Sequence, residues 1–134
     1  MNAFPLKIVT PDGIAFEGLV ESLSVRTATG DMGILAGHVP CVAPLGMGRA
    51  TIVIDGKRRY AACIGGMLSV LDGKATLVPT TFEWAENIDV ARANRSRERA
   101  ETMLQRKDAS ATDIALAEAR LKRALIRQNV ASSL

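Results

Sequence analysis

Six arginines near the end of the chain are spaced so that they could hold an anion together. They form two sets with the same spacing, i, i+3 and i+7. The sets are Arg92, Arg95 and Arg99, and then Arg120, Arg123 and Arg127. On an α-helix this spacing places side chains on one face, so each set predicts a cationic stripe. Stripes that approach each other repel unless an anion lies between them, whereas separated helices would form a basic rod suited to an acidic partner.

The distribution of charge points to the same end of the chain. The 134 residues carry a net charge of +3. Residues 1–84 contain seven Lys/Arg and seven Asp/Glu, while residues 85–134 contain ten and seven, so the whole excess lies in the second part. A neutral body with a basic tail predicts that the tail meets something acidic. The alternative is a basic face that is simply solvated.

Side chains that could perform catalysis are sparse. His38 is the only histidine, and Asp31 lies seven residues before it in a glycine-rich segment. The chain has no motif for a nucleophilic serine, a zinc site or a phosphate loop. We therefore expect no catalytic residues, no metal and no required cofactor, and we interpret His38 as a structural or interface residue.

Nucleic-acid binding is a minor alternative. The basic segments lack the interleaved aromatic side chains that stack on bases, and glutamates dilute their positive charge. We expect no nucleic acid among the partners.

The cysteines and the N-terminus indicate the compartment. Cys41 and Cys63 are each flanked by apolar residues, which predicts two buried free thiols in a reducing compartment. The N-terminus has no targeting character, and the apolar runs are too short to span a bilayer. We expect a soluble, cytosolic chain that contacts a membrane only through a complex.

From residue 5 to about 83 the pattern is that of short β-strands separated by turns. Asp55-Gly56 and Asp72-Gly73 each join two strand-like segments, a strong hairpin signal. Residues 29–33 are predicted to form a loop, and Gly65-Gly66 a bulge or a point of close approach. The spacing favours an antiparallel β-sandwich or barrel over residues 1–84.

Around residue 84 the composition changes to Ala, Arg, Glu and Leu, which favour helix. Asn87 is the expected N-cap of a helix over residues 88–106. Ser110 and Asp113 resemble a capping box for a second helix that ends near Val130. The short loop between them predicts an antiparallel two-helix hairpin over residues 85–134.

The apolar face of this hairpin is thin, because many of its members are alanines. On the second helix the expected stripe is Ile114, Ala117, Leu121, Ala124 and Leu125. Burial stabilises by roughly 25 cal/mol per Å² of apolar surface, and alanine offers little surface. We therefore expect a hairpin that opens more readily than the β body.

Three segments resemble a known family. They are VTPDG at residues 9–13, GDMGILAGHVP at residues 30–40 and GGMLSV at residues 65–70. In order and spacing they resemble the epsilon subunit of bacterial F-type ATP synthases, over residues 5–131. Ala36 departs from the family, which usually has proline there.

The resemblance implies a non-catalytic rotor subunit at the cytoplasmic face of the bacterial membrane. Its sandwich would contact the gamma subunit and the c-ring of ATP synthase, with Asp31 and His38 as contact residues. Its hairpin would be mobile. When extended it would enter the alpha/beta catalytic head, meet an acidic segment of the beta subunit and inhibit ATP hydrolysis.

A second resemblance concerns ATP as a regulatory ligand. IDVARA at residues 88–93 is similar to a motif of family members that bind ATP in the folded hairpin. The resemblance implies adenine and ribose contacts from Glu83 and the backbone near Ile88, Asp89 and Ala93. It implies phosphate contacts from Arg92, Arg99, Arg123 and Arg127. No hydrolysis of this ATP is implied.

Two alternatives stay open at this point. One is a stand-alone module whose basic hairpin recognises an acidic protein or a nucleic acid. The other is a hairpin with a purely structural role, whose removal would leave ATP hydrolysis by the assembled complex unchanged.

Overall fold

Ten strands and two α-helices are formed within residues 2–134, the part of the chain that the computed structural model describes. The chain divides into two units, residues 1–84 and residues 85–134. The strands of the first unit are β1 (Phe4–Thr10), β2 (Gly13–Val20), β3 (Ser22–Thr27), β4 (Gly30–Leu35), β5 (Cys41–Pro44), β6 (Met47–Ile54), β7 (Lys57–Ile64), β8 (Met67–Leu71), β9 (Lys74–Val78) and β10 (Thr81–Trp84).

These strands form two five-stranded sheets, which confirms the predicted β-sandwich. The strand order is β2-β1-β9-β8-β5 in the first sheet and β10-β7-β6-β3-β4 in the second. The pairs are antiparallel except that of β1 with β9, which is parallel. The parallel pair joins strands that are far apart in sequence, so no local turn signal could have indicated it.

Alternating side chains of both sheets build the core of this unit. In β3, for example, Leu23 and Val25 are buried while Ser24 and Arg26 are exposed. The largest fully buried side chains of the sandwich are apolar, namely Leu6, Ile8, Val20, Leu23, Val25, Ile34, Ile52, Leu68, Leu77 and Pro79. This is the period of two that a half-buried strand requires.

The two Asp-Gly hairpins are confirmed. Asp55 and Gly56 have φ of 51° and 75°, and Asp72 and Gly73 repeat the same values. Positive φ at both central residues defines the type I′ turn, whose twist matches that of paired strands. Each turn therefore fixes the register of its hairpin, β6 with β7 and β8 with β9.

Gly66 marks a point of close backbone approach, as predicted. Its φ is 95°, and an added Cβ would lie 2.7 Å from Cα of Pro79 and closer still to the carbonyl oxygen of Val78. Only glycine fits such a position, because any Cβ would overlap the neighbouring backbone.

The predicted loop at residues 29–33 was wrong. Gly30 to Gly33 belong to β4, which pairs with β3 along its length. The reversal is made just before, where the Thr27 hydroxyl donates to the Gly30 carbonyl oxygen (2.6 Å) and accepts from the Thr29 amide (3.3 Å). The Thr27 side chain thus stabilises the reversal between β3 and β4.

The second unit contains α1 (Val90–Leu104) and α2 (Ala111–Ala131). The expected N-cap at Asn87 was wrong, because residues 85–87 form a short 3₁₀ turn. Asp89 caps α1 instead, its carboxylate accepting from the Arg92 amide at 3.0 Å. At α2 the capping box between Ser110 and Asp113 is present in both directions. Within residues 2–134, neither helix is both long and apolar enough to cross a membrane.

The two cysteines differ in burial, which corrects the expectation that both are buried. Cys63 is buried, whereas Cys41 is only half-buried; both are free thiols. Burial raises the pKa of Cys63 from 9.0 to about 12, because the thiolate would lose its hydration.

We expect Gly66→Ala to lower the free energy of unfolding by about 3 kcal/mol, since it adds a left-handed backbone penalty to an overlap with Val78. Denaturant unfolding followed by fluorescence measures this loss. Gly33→Ala is the control, because its added Cβ would meet nothing within 4 Å. Equal stability of the two variants would contradict the close approach at Gly66.

We expect a thiol reagent at pH 8 to label Cys41 and to leave Cys63 unlabelled until the chain unfolds. Cys63 is buried, and its raised pKa keeps the thiol protonated at pH 8. The same raised pKa contributes to the free energy of unfolding below about pH 9, and this contribution to stability is lost as the pH rises from 9 to about 12. Mass spectrometry counts the labels. The folded Cys41→Ser variant should take none, and a label on it would show that Cys63 is accessible.

Candidate functional site

The second unit is an antiparallel hairpin whose helices are joined by polar side chains near the start of α1 and the end of α2. Gln128 of α2 donates through Nε2 to Asn94 Oδ1. Its Oε1 accepts from Nη1 of Arg97 at 3.2 Å. Arg97 also binds Glu101 of its own helix at 2.6 Å. These contacts hold the start of α1 against the end of α2.

Alanines are four of the five buried residues of the two helices. The buried residues of α1 are Ala93 and Ala100, and those of α2 are Ala117, Ala124 and Val130. Within each helix the alanines are seven residues apart, so they lie on one face. We call these four residues the alanine seam. Because alanine buries little apolar surface, the seam contributes little free energy.

The apolar stripe predicted on α2 is only partly buried. Its two alanines belong to the seam, but Ile114 is 37% exposed and Leu125 is 42% exposed. The apolar contact between the helices is therefore thinner than the sequence pattern indicated.

The arginine stripes lie on the helices as predicted, and one groove brings members of both stripes together. Arg95, Arg99 and Arg120 line one groove of the hairpin, together with Arg106 after α1. The groove has a volume of about 910 Å³. Arg92, Arg123 and Arg127 are not among its lining residues. The structure thus groups two arginines of the first stripe with one of the second.

The residues assigned to ATP by resemblance occupy several elements. Glu83 is half-buried in β10 of the first unit. Ile88 is buried at the start of the second unit, and the Asp89 carboxylate is used by its own helix as the N-cap. Ala93 belongs to the alanine seam. The remaining members are the exposed Arg92 and Arg99 and the half-buried Arg123 and Arg127. The assignment stays a prediction.

The two predicted contact residues lie at opposite ends of β4. Asp31, at its start, is exposed and forms an ion pair with Arg26 of β3 at 3.4 Å. His38 follows the end of the strand, where its Nδ1 lies 2.8 Å from the Val39 carbonyl oxygen. At roughly 3.3 Å per residue, the strand alone separates Asp31 from Leu35 by about 13 Å. They can contact one large partner but do not share a small site.

An exposed apolar surface occupies part of the outside of the first sheet, beside the exposed Lys7–Glu17 ion pair, and our reading of the sequence missed it. We call it the outer apolar face. Its members are Leu19 (64% exposed), Val42 (68%), Met67 (43%), Leu71 (59%) and Val78 (46%). Met67 is the strand neighbour of both Pro44 and Val78, so this part of the surface is continuous across β5, β8 and β9, while Leu19 lies on β2, beyond β1. The signal in the sequence was that β8 has apolar residues facing both sides of the sheet. Leu68 and Val70 are buried, while Met67 and Leu71 are exposed.

Comparison with known proteins assigns the family. A model described as "ATP synthase, Delta/Epsilon chain, beta-sandwich domain" matches residues 3–85. One described as "ATP synthase, Delta/Epsilon chain, long alpha-helix domain" matches residues 86–132. The chain belongs to this ATP synthase delta/epsilon family.

Curated relatives are similar over nearly their whole length. The chain is 44% identical to an "ATP synthase epsilon chain" of Bacillus cytotoxicus over 132 residues, covering 98% of each chain. It is 41% identical to that of Bacillus velezensis over 133 residues, covering 99% of this chain and 100% of the relative. The family resemblance found in the sequence is confirmed.

Solved structures share the fold. One is the Euglena gracilis mitochondrial ATP synthase, OSCP/F1/c-ring, with a TM-score of 0.82 and 24% identity, covering 99% of this chain and 82% of that one. Another is the central stalk/c-ring of the Tetrahymena thermophila mitochondrial enzyme, with a TM-score of 0.61 and 11% identity, covering 95% of each chain. At these identities the likeness concerns the fold.

We expect Gln128→Ala to loosen the hairpin, because it removes the hydrogen bonds to Asn94 and Arg97. Each such bond contributes about 1 kcal/mol, so the opened population should rise by about tenfold or more. Amide hydrogen exchange across α1 and α2 measures this change. Gln105→Ala is the control, because Gln105 is exposed and its cap contact uses only its backbone. Equal exchange in both variants would contradict the role of Gln128.

Proposed function

We propose that this chain is a non-catalytic central-stalk subunit of a bacterial ATP synthase, with the hairpin as an inhibitory arm. The alanine seam carries the proposal. A hairpin closed by so little apolar surface can open at a cost of a few kcal/mol, as an arm that changes position must. Family membership and full-length similarity to curated epsilon chains support the assignment to the complex.

The sandwich is the part that binds the rotor. The outer apolar face supports a role in rotor binding, because a large exposed apolar patch commonly marks a protein interface. We assign the gamma subunit to this face. Asp31 and His38 contact the c-ring loops, so the chain lies at the cytoplasmic face of the membrane and meets the bilayer only through the complex.

The hairpin inhibits ATP hydrolysis when it is extended. Opening uncovers the alanine seam and separates the arginine stripes, which then face the alpha/beta catalytic head. Acidic side chains of the beta subunit would pair with these arginines through charge-assisted hydrogen bonds. The extended state is thereby stabilised by the partner, while the closed state is stabilised within the chain.

ATP acts as a regulatory ligand of the closed hairpin. Phosphate contacts from Arg92, Arg99, Arg123 and Arg127 form only while both helices are together. ATP therefore shifts the population toward the closed, non-inhibitory state by its differential affinity. Nothing in this role requires hydrolysis or a metal ligand from the chain.

We expect deletion of residues 88–134 to raise ATP hydrolysis by the assembled complex several-fold while leaving the sandwich bound to the gamma subunit. The reason is that the arm is lost while the outer apolar face is kept. Steady-state hydrolysis of complexes purified through the gamma subunit measures the effect, with the full-length chain as the reference.

The same preparation separates the alternatives. Failure of the full-length chain to co-purify with gamma would favour a stand-alone binding module. Association with unchanged hydrolysis would mean that the hairpin is purely structural. An assay at matched occupancy, checked by gel densitometry, prevents loss of the subunit from imitating loss of inhibition.

A further inference from the structure

The end of α2 lies at the base of the hairpin, beside the segment with which the second unit begins. The bonds of Gln128 to Asn94 and Arg97 place this end against the start of α1. The 3₁₀ turn at residues 85–87, which precedes α1, also packs against α2. The base of the hairpin therefore brings three elements of the second unit together.

Three apolar residues of this base are buried. They are Ala85 in the 3₁₀ turn, Ile88 directly after the turn, and Val130 near the end of α2. We call them the base cluster. Among the described residues of the two helices, Val130 is the one buried side chain larger than alanine. Because the hydrophobic contribution grows with buried apolar area, Val130 contributes more to closure than any single member of the alanine seam.

Val130 lies on a different side of α2 from the alanine seam. It follows Ala124 by six residues, which is a rotation of about 240° around the helix axis, whereas two residues seven apart differ by only about 20°. The side chain of Val130 therefore points away from the seam. Its complete burial requires a second contact of α2, in addition to the contact along the seam.

The last turn of α2 stays helical up to this second contact. The Ser132 hydroxyl donates to the Asn129 carbonyl oxygen at 2.7 Å, and the Ser133 hydroxyl donates to the same oxygen at 3.1 Å. Carbonyl groups at the end of a helix otherwise have no partner within the helix. These bonds oppose fraying and fix the direction of Val130. Gln128, two residues earlier and about 200° away, holds the opposite side of the same turn.

We propose that Val130 is a positioning residue of the inhibitory arm, and that its burial at the base sets the fraction of chains whose hairpin is closed. This role rests on the proposed function, in which the extended hairpin inhibits ATP hydrolysis. Extension moves the end of α2 away from the 3₁₀ turn, so the whole Val130 side chain loses its buried site. The largest single apolar contribution to closure then comes from the last turn of α2 and not from the seam.

Amide hydrogen exchange of α1 and α2 in the full chain tests the closing role. Val130→Ala removes two buried methyl groups, so the opened population should rise by about tenfold or more. Alanine favours helix more than valine does, so a rise cannot come from weaker helix propensity. Val90→Ala is the control, because it makes the same change at a side chain that is 47% exposed. Its exchange should stay within about twofold of the unmodified chain.

The assembled complex distinguishes this positioning role from a merely structural one. If Val130 holds the arm closed, Val130→Ala should lower ATP hydrolysis by up to about tenfold, following the shift of the opening equilibrium. If Val130 only helps the arm to fold, hydrolysis should instead rise toward that of the chain without residues 88–134. Val130→Thr keeps the shape of the side chain but buries a hydroxyl group, so it should act in the same direction as Val130→Ala.

Two results would overturn the proposal. One is equal hydrogen exchange in Val130→Ala and Val90→Ala, and the other is hydrolysis that stays level or rises in Val130→Ala and Val130→Thr. Circular dichroism checks that all variants keep their helices. Unchanged hydrolysis on deletion of residues 88–134 would remove the proposed inhibitory function, and the exchange comparison would still decide whether Val130 closes the hairpin.

Discussion

The alanine seam is the constraint on which the behaviour of the hairpin depends. Alanine loses no rotamer freedom on burial, but it contributes little apolar area in return. The two helices must therefore be held by something else, and the polar contacts of Gln128 act only near one end. Along the rest of the seam, the small apolar contact must outweigh the electrostatic repulsion between arginine side chains of the two helices. The free energy of closure is then small, so a bound anion or an acidic partner can change which state the hairpin prefers.

The sandwich, in contrast to the hairpin, is stabilised by extensive burial of large apolar side chains. Its interior is filled with large aliphatic side chains from both sheets, and its hairpins are fixed by turns that tolerate few alternatives. At Gly66 the backbone of a neighbouring strand end occupies the space of a side chain, so even one methyl group is excluded. A rigid domain of this kind can bind a partner through a preformed surface, which is the role proposed above for the outer apolar face. An arm that changes state needs the weaker construction of the hairpin.

The features that local chemistry determines could be predicted from the sequence. The Asp-Gly turns and the Ser110–Asp113 capping box follow from a few adjacent residues, and the structure has them. The predicted start of α1 was wrong because Asn87 and Asp89 are both good N-cap residues. Asn87 belongs to the 3₁₀ turn, which leaves Asp89 as the N-cap. The parallel pairing of β1 with β9 depends on distant segments. So does the grouping of Arg95 and Arg99 with Arg120, since helical period gives each stripe but not the rotation of one helix against the other.

The size of the opposing terms explains why a weakly bound anion would suffice to control the hairpin. A ligand that binds only the closed state at ten times its dissociation constant stabilises that state by about 1.4 kcal/mol. This is comparable to one hydrogen bond of Gln128, which contributes about 1 kcal/mol. In a unit packed through large side chains, such a ligand would change little. In a hairpin closed largely by alanines it equals a substantial share of the closing free energy, so the ATP binding proposed above would be coupled to closure of the helices.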